Sequence, residues 1–395
     1  MREGYKKTEI GVIPLDWEVV KLGDIATFSK GKGIFKKDIS ETGVECIRYG
    51  ELFTTYKEII KTIKSKTNSI NNMVYSRLND TLMPTSDVTP RGLAIASALD
   101  KEGVILGGDI LIIRSERILN SYLSYFIRSH KREIMKLVSG STVYHIYAKD
   151  MKKLEIPLPL LTEQKKIVRI LSTADEKIEA IALQIEKAEM VKKGLMQRLL
   201  NQKWDKVLLD EVAKRGTGHT PNKKISSYWN GGIKWVSLSD SSKMDNRYIY
   251  ETDKEISLDG IENSSAVLHP KNTVVLVRDA GIGKSGILGQ DMAVSQHFIA
   301  WRCSEKLDYI FLYYWLQIQK PYFELIAIGS TIKTIGMPFF KKLKIPLPPL
   351  KEQTKIANIL TKADEKLEVL RAKKAKYEEL KVGLMQKLLT GEVRV

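Results

Sequence analysis

The sequence predicts a mixed α/β chain: two globules separated by two long antiparallel coiled-coil helices, with a pseudo-twofold internal repeat. Three observations lead there. Residues 154–201 recur at 343–390 with 26 of 48 positions identical, at a constant displacement of 189 and without insertion. The later part of each copy carries a 3.5-residue apolar period, and the stretches outside the copies carry short apolar runs broken by turn residues.

The repeat is the strongest signal. Leu154-Glu-Ile-Pro-Leu-Pro-Leu-Leu-Thr-Glu-Gln returns as Leu343-Lys-Ile-Pro-Leu-Pro-Pro-Leu-Lys-Glu-Gln, Ala174-Asp-Glu-Lys returns at Ala363, and Gly194-Leu-Met-Gln returns at Gly383. A fainter likeness extends outward. Trp17 and its followers match Trp204 and its followers, and Val138-Ser-Gly-Ser-Thr matches Ala327-Ile-Gly-Ser-Thr. Glu45-Cys-Ile-Arg is a further correspondence, with Lys234-Trp-Val-Ser, but Leu82-Met-Pro-Thr-Ser-Asp and Leu276-Val-Arg-Asp-Ala-Gly carry different side chains. Each half therefore has a common frame around a divergent centre. The chain divides into a globule at 1–153, a connector and helix at 154–203, a second globule at 204–342, and a second connector and helix at 343–395. At 395 residues it suits two to three domains of roughly 100–200 residues.

After the connector prolines Pro157 and Pro159, which oppose a helix, Ile167, Leu171, Ala174, Ile178, Ile181, Ile185, Ala188, Lys192, Leu195 and Leu199 step by 4 and 3. The second copy gives Ile356, Leu360, Ala363, Leu367, Leu370, Lys374, Tyr377, Lys381, Leu384 and Leu388. Only lysines interrupt these seams. A helix of roughly 40 residues rises about 60 Å, too long for one small globule. Mutual pairing of two matched seams is favoured over a helix lying on its own globule. In the globules, Ile110-Leu-Ile-Ile and Thr273-Val-Val-Leu-Val read as strands, and 122–137 and 309–325 as closing helices at corresponding places.

Composition narrows the class. With 43% hydrophobic and 28% charged residues the chain folds. Cys46 and Cys303 are too few for a disulfide framework or a cysteine zinc site, and the start leads into no apolar leader. A cytoplasmic setting without membrane insertion is expected.

Catalytic signatures fail in turn. Gly281-Ile-Gly-Lys-Ser-Gly286 satisfies GxGxxG, but a nucleotide cradle needs a helix next, and 287–301 reads as strand. Asp175-Glu-Lys177 and Asp364-Glu-Lys366 have a nuclease-like spelling, yet on a helix i and i+2 diverge, so both are expected to be solvated helix faces. The five histidines, His130, His145, His219, His269 and His297, form no HExxH pair, and no GxSxG turn is present. No catalytic residue, metal or cofactor is expected.

Binding remains. A formal charge of +17 favours a polyanion, because cations that neutralise phosphates release counterions. Two clusters mixing glycine and cations lie at corresponding places: Lys30, Lys32, Lys36 and Lys37, and Lys214, Arg215, Thr217, His219, Thr220, Lys223 and Lys224. Such loops can follow phosphates while presenting side chains to base edges. Arg48, Arg91, Arg278, Lys284 and Lys333 complete the DNA-contact candidates. The competing classes are a nucleotide-using enzyme built on the 281–286 turn, favoured by nucleotide saturation at micromolar levels, and a coiled-coil scaffold, favoured by equal affinity for all duplexes.

Tyr5-Lys-Lys-Thr-Glu-Ile-Gly-Val-Ile-Pro-Leu-Asp-Trp17, the twin Ile-Pro-Leu-Pro blocks with Glu163-Gln164 and Glu352-Gln353, the Gly-Ser-Thr triplets at Gly140 and Gly329, and Leu388-Leu-Thr-Gly-Glu-Val-Arg-Val395 are distinctive. Together they resemble the DNA-specificity (S) subunit of type I restriction-modification enzymes, over essentially the whole chain. The resemblance implies two target-recognition domains, each reading half of a split, asymmetric site on double-stranded DNA. It implies two methyltransferase (M) subunits and restriction (R) subunits as partners, and no catalysis by the chain itself. A specificity subunit of a related methyltransferase-nuclease system is the nearest alternative.

Two expectations can be measured. The purified chain alone shows no methyl transfer, nuclease or ATPase activity, and methylation appears only when an M subunit is added; turnover by the chain alone would contradict this. Inserting one heptad into each helix, after Ile181 and Leu370, lengthens the spacer by about 10.5 Å while keeping both seams. DNA binding then weakens, and surviving specificity shows the same half-sites with a longer gap; an unchanged gap in a variant that keeps its helices by circular dichroism excludes the helices as a ruler.

Overall fold

The computed structural model describes residues 3–330 and 333–395; Thr331, the last residue of the second Gly-Ser-Thr triplet, lies outside the described residues. The chain folds into two compact units that cut across chain order. One comprises the residues up to Ala182 together with Ala372–Val395, the other Leu183–Arg371.

In the first unit the apolar run Ile110–Arg114 is a central strand, because β-branched side chains suit a pleated surface buried on both faces. The sheet order is Ser97–Leu99, Asp80–Pro84, Ile110–Arg114, Thr27–Lys30, antiparallel throughout. A second sheet contains Val44–Ile47 paired in parallel with Ile105–Leu106. The helix Asn120–Ser129 buries Tyr122, Tyr125 and Phe126 in a core that also takes Ile167, Leu171, Met385 and Leu388 from the long helices. Tyr5, in the hairpin of Tyr5–Thr8 and Gly11–Pro14, donates its hydroxyl to the Gly391 carbonyl at 2.9 Å. Arg394 reaches both Asp16 and Glu163, which also accepts from the Trp17 indole at 2.9 Å.

The second unit repeats the plan. Its sheet runs Ala213–Thr217, Phe298–Cys303, Val274–Val277, Ser285–Leu288, Tyr248–Ile249, and a second sheet pairs Trp229–Val236 in parallel with Met292–Val294. The helix Tyr309–Ile326 buries Phe311, Leu312, Tyr314 and Phe323 against Trp301, Ile356 and Leu360. Among the described residues no helix is long and apolar enough to cross a membrane.

The long helices span Leu161–Leu200 and Leu350–Leu388. Each belongs partly to one unit and partly to the other. Within each unit they run antiparallel. In the first, Lys381 pairs with Asp175 at 2.6 Å; in the second, Arg371 pairs with Glu189 at 2.7 Å and Lys192 with Asp364 at 2.5 Å. Every apolar seam position named above is buried or half-buried. The two readings of the helices are both realised, since Ile167, Leu171, Ile356 and Leu360 pack into their own unit's core.

The Glu-Gln pair after the prolines now has a physical reason. Gln164, fully buried, accepts from the Leu119 amide at 2.8 Å and donates to the Arg117 and Pro159 carbonyls. Gln353, also fully buried, does the same with the Asp308 amide and the Lys306 and Pro348 carbonyls. One carboxamide thus ties the helix start to the connector and to the loop before the globule's helix. Removing it would orphan buried backbone groups at about 1–3 kcal/mol each.

One expectation is corrected. Asp175 and Asp364 are not on solvated faces; each side chain is 13% exposed. Asp175 accepts from the Tyr125 hydroxyl and Asp364 from the Tyr314 hydroxyl, both at 2.6 Å. Burial, followed by the neighbouring carboxylate, pushes each phenol's pKa up, so both remain donors. The lysines that interrupt the seams, Lys381 and Lys192, are the ionic partners of these aspartates and lie over the same tyrosine rings. Helical periodicity places Asp175 correctly on its own helix; its partners come from elements more than 40 residues away, so the period could not show them.

The clusters differ in their outer member. In the first unit Lys381 also meets Glu58 at 2.7 Å; in the second, Arg247 donates to the Tyr314 hydroxyl and to Thr361. Burial raises the Glu58 carboxyl, but the Lys381 ammonium outweighs it and holds the group below the ordinary carboxylate range. A depressed carboxylate stabilises the fold above its unfolded pKa of about 4.3, and that stability disappears as pH falls through the lower folded value. Lys381→Met should therefore destabilise the first unit by about 3–5 kcal/mol at pH 7, by stranding buried charge. The gap between wild-type and variant melting curves should close below about pH 4; a gap independent of pH would show that Lys381 acts through packing alone.

Candidate nucleic-acid interface

The ends of several strands meet at one edge of each unit, held by the same backbone bonds. In the first unit the Gly107 amide donates to Ile47, Lys32 to Leu106, Thr85 to Asp109, and Ile146 to Thr85. In the second, Ser295 donates to Val236, His219 to Val294, Arg278 to His297, and Ile335 to Arg278, with lengths of 2.8–3.1 Å in both. The capping bonds also match: the Arg48 amide donates to Glu51 and the Ser237 amide to Asp240. A side chain at Gly31 would collide with the Gly107 carbonyl, and one at Gly218 with the Val294 carbonyl, so both frames require glycine at the same place.

The bonds define equivalent positions: Lys32 and His219, Thr85 and Arg278, Asp109 and His297, and one residue earlier Gly108 and Gln296. The side chains differ at every one. In the first unit Lys30, 59% exposed, pairs with Asp109 at 2.9 Å. In the second the Thr220 hydroxyl donates to Gln296 at 2.6 Å, Gln296 contacts His297 at 3.4 Å, and His297 Nδ1 lies 2.6 Å from Asp279. Asp279 also accepts from the Thr334 hydroxyl. Because the carboxylate can only accept, Nδ1 carries the proton.

The sequence candidates are distributed unevenly about these edges. Lys30, Lys32, Thr217, His219, Thr220 and Arg278 lie on the frames. Lys36 and Lys37 are exposed on the turn Lys36–Asp38, beside Phe35, itself 66% exposed. Lys223 and Lys224 are exposed on the loop after Thr220. Arg48 is half-buried 3.8 Å from Glu51. Arg91 lines a cavity of about 1150 Å³ with Arg128, Lys131 and Lys381. Arg215 is clamped by Asp210 through two 3.0 Å bonds, and Lys284 is tied to Asp245 and to the Ser241 carbonyl, so both cations are compensated and mostly covered, whereas Lys30 stays exposed beside Asp109. Lys214 lies at the far end of the strand from Thr217. Lys333 is exposed beside Lys284 and Lys320 around a cavity of about 480 Å³.

The turn at 281–286 is a hairpin between Val274–Val277 and Ser285–Leu288, with Gly281 and Gly283 at φ of 89° and 81°. No helix follows it, so it lacks the geometry of a dinucleotide cradle. Among the described residues no group of three or more His, Cys, Asp or Glu side chains is placed to hold a metal. Sequence reading missed Asp109, Asp279, Gln296, His297 and His145, the last of which lines a cavity with Lys30, Thr85 and Asp109. Two of them carried a legible signal: Asp109 and His297 each directly precede a buried apolar run.

A family model for the type I restriction modification DNA specificity domain matches twice, over residues 14–190 and 201–379. The chain belongs to this family. A specificity subunit is the non-catalytic DNA-recognition component of its restriction-modification complex. The type I restriction enzyme MjaVIII specificity subunit of Methanocaldococcus jannaschii is 28% identical over 430 residues, covering 100% of this chain and 96% of the relative. The EcoR124I/EcoR124II specificity subunit of Escherichia coli is 26% identical over 228 residues, 54% of this chain and 56% of the relative. In fold, this specificity subunit is similar to the S subunit from M. genitalium, with a TM-score of 0.62 and 16% identity over 98% of this chain and 99% of that one. A chain from a structure on complex assembly and conformational transition of the type I R-M system gives 0.61 and 20% identity over 96% and 99%.

Proposed function

We propose that the chain reads a bipartite, asymmetric site on double-stranded DNA, residues 1–153 recognising one half-site and 204–342 the other, and that it positions methyltransferase and restriction subunits there. One observation carries this: an identical backbone frame presents different polar side chains in the two units. A repeated frame fits two similar docking events on DNA, and different side chains fit two different base sequences. The exposed Lys36, Lys37, Lys223 and Lys224 supply phosphate-seeking charge that is indifferent to sequence. Leu183, Met190 and Val191 leave apolar surface on a long helix 50–60% exposed, which suits a protein partner.

Exchange of one domain tests this function. Replacing 204–342 by the matching segment of another specificity subunit, in cells carrying the methyltransferase partner, should alter one half-site of the methylated sequence and leave the other intact. Loss of both half-sites in a folded protein would show that the two are not read separately.

A further inference from the structure

Reading a base edge requires a side chain with free donors and acceptors, exposed to the duplex and fixed by its surroundings. Phosphate contact requires only charge. Gln296 meets the stricter requirement. It is exposed, and its backbone sits between Ser295, which is bonded to Val236, and His297, which is bonded to Arg278.

Its carboxamide is the middle of a directed chain. The Thr220 hydroxyl donates to Oε1 at 2.6 Å, and Nε2 donates to His297 Nε2 at 3.4 Å. His297 Nδ1 donates to Asp279 at 2.6 Å, and Thr334 donates to the same carboxylate. A carboxamide has two acceptor and two donor places. The chain uses one of each and leaves one of each free. An amide with one free acceptor and one free donor complements adenine, which offers N6–H and N7 side by side in the major groove.

The equivalent edge of the first unit is different. Gly108 has no side chain to offer, and Asp109 is paired with Lys30. A cation beside a carboxylate complements a G·C pair, the lysine toward guanine O6 and N7 and the carboxylate toward cytosine N4.

We infer that the two strand-end frames are the base-reading edges, Gln296 reading an A·T pair in one half-site and the Lys30–Asp109 pair reading a G·C pair in the other. This rests on the proposed DNA-reading function and names its determinants. Thr220, His297 and Asp279 are positioning residues that hold the Gln296 amide.

The test is to map methylated sites in cells carrying the chain and its methyltransferase partner. Wild type is compared with Gln296→Ala, Gln296→Glu, Thr220→Val and Lys30→Ala. Gln296→Ala should lower discrimination at a single A·T position of one half-site by roughly 5- to 150-fold. Gln296→Glu, now acceptor-only, should shift preference there toward C·G. Thr220→Val should relax the same position, to a smaller extent, because it frees the amide without removing it. Lys30→Ala should relax one G·C position in the other half-site only. Unchanged specificity in all four variants, or weakening spread evenly over both half-sites, overturns the assignment. A wild-type protein that directs no bipartite methylation overturns the DNA-reading function itself. Gln296 is exposed, so Gln296→Ala keeps the test decisive even if another variant melts early.

Discussion

The structure depends on keeping a few polar groups buried where two long helices meet a globule. Tyr125, Asp175 and Lys381 in one unit, and Tyr314, Asp364 and Lys192 in the other, lock an aspartate of one helix to a lysine of the antiparallel helix and to a tyrosine of the globule. A buried ion pair contributes little net stability against an apolar replacement, but breaking it is costly. Its value is in register. A seam of Ile, Leu and Ala tolerates sliding by a heptad, whereas a buried aspartate accepts only the register that brings it a lysine. The buried carboxamides of Gln164 and Gln353 act at the helix starts, fixing where each helix leaves its connector.

With the frame held this way, the outer edges of the units can vary. The bonds from residue 85 to 109 and from 146 to 85 involve only backbone, as do their counterparts from 278 to 297 and from 335 to 278. Side chains on such a frame can change without altering the fold, provided that Gly31 and Gly218 remain. This separation explains why sequence likeness is strong at the helices and connectors and fades in the globule centres. The helices must satisfy each other; the edges need satisfy only what they bind.

Much of this was legible in the sequence. The repeat, both long helices, the central strands and the absence of a helix after the 281–286 turn followed from displacement, period and β-branched runs. The basic clusters identified part of each edge, including Lys30 and Thr220, and Arg278 was a separate candidate. Charge was a poor guide to which cations are free, because Arg215 and Lys284 meet carboxylates that spacing alone does not reveal. The chain of Thr220, Gln296, His297 and Asp279 was not found, since its members come from three segments and none carries net positive charge.

The sequence by itself determined the duplicated architecture, the antiparallel-compatible seams and membership in a DNA-specificity family. Those are properties of period and similarity along one chain. Only the tertiary structure decided which carboxylates are buried, which cations are already neutralised, and which polar side chains converge at the strand ends. The physical reason is range: helical and strand periods act over a few residues, whereas the hydrogen bonds that join position 220 to 296 and 297 to 279 exist only after the sheet has brought each pair within 3 Å or so.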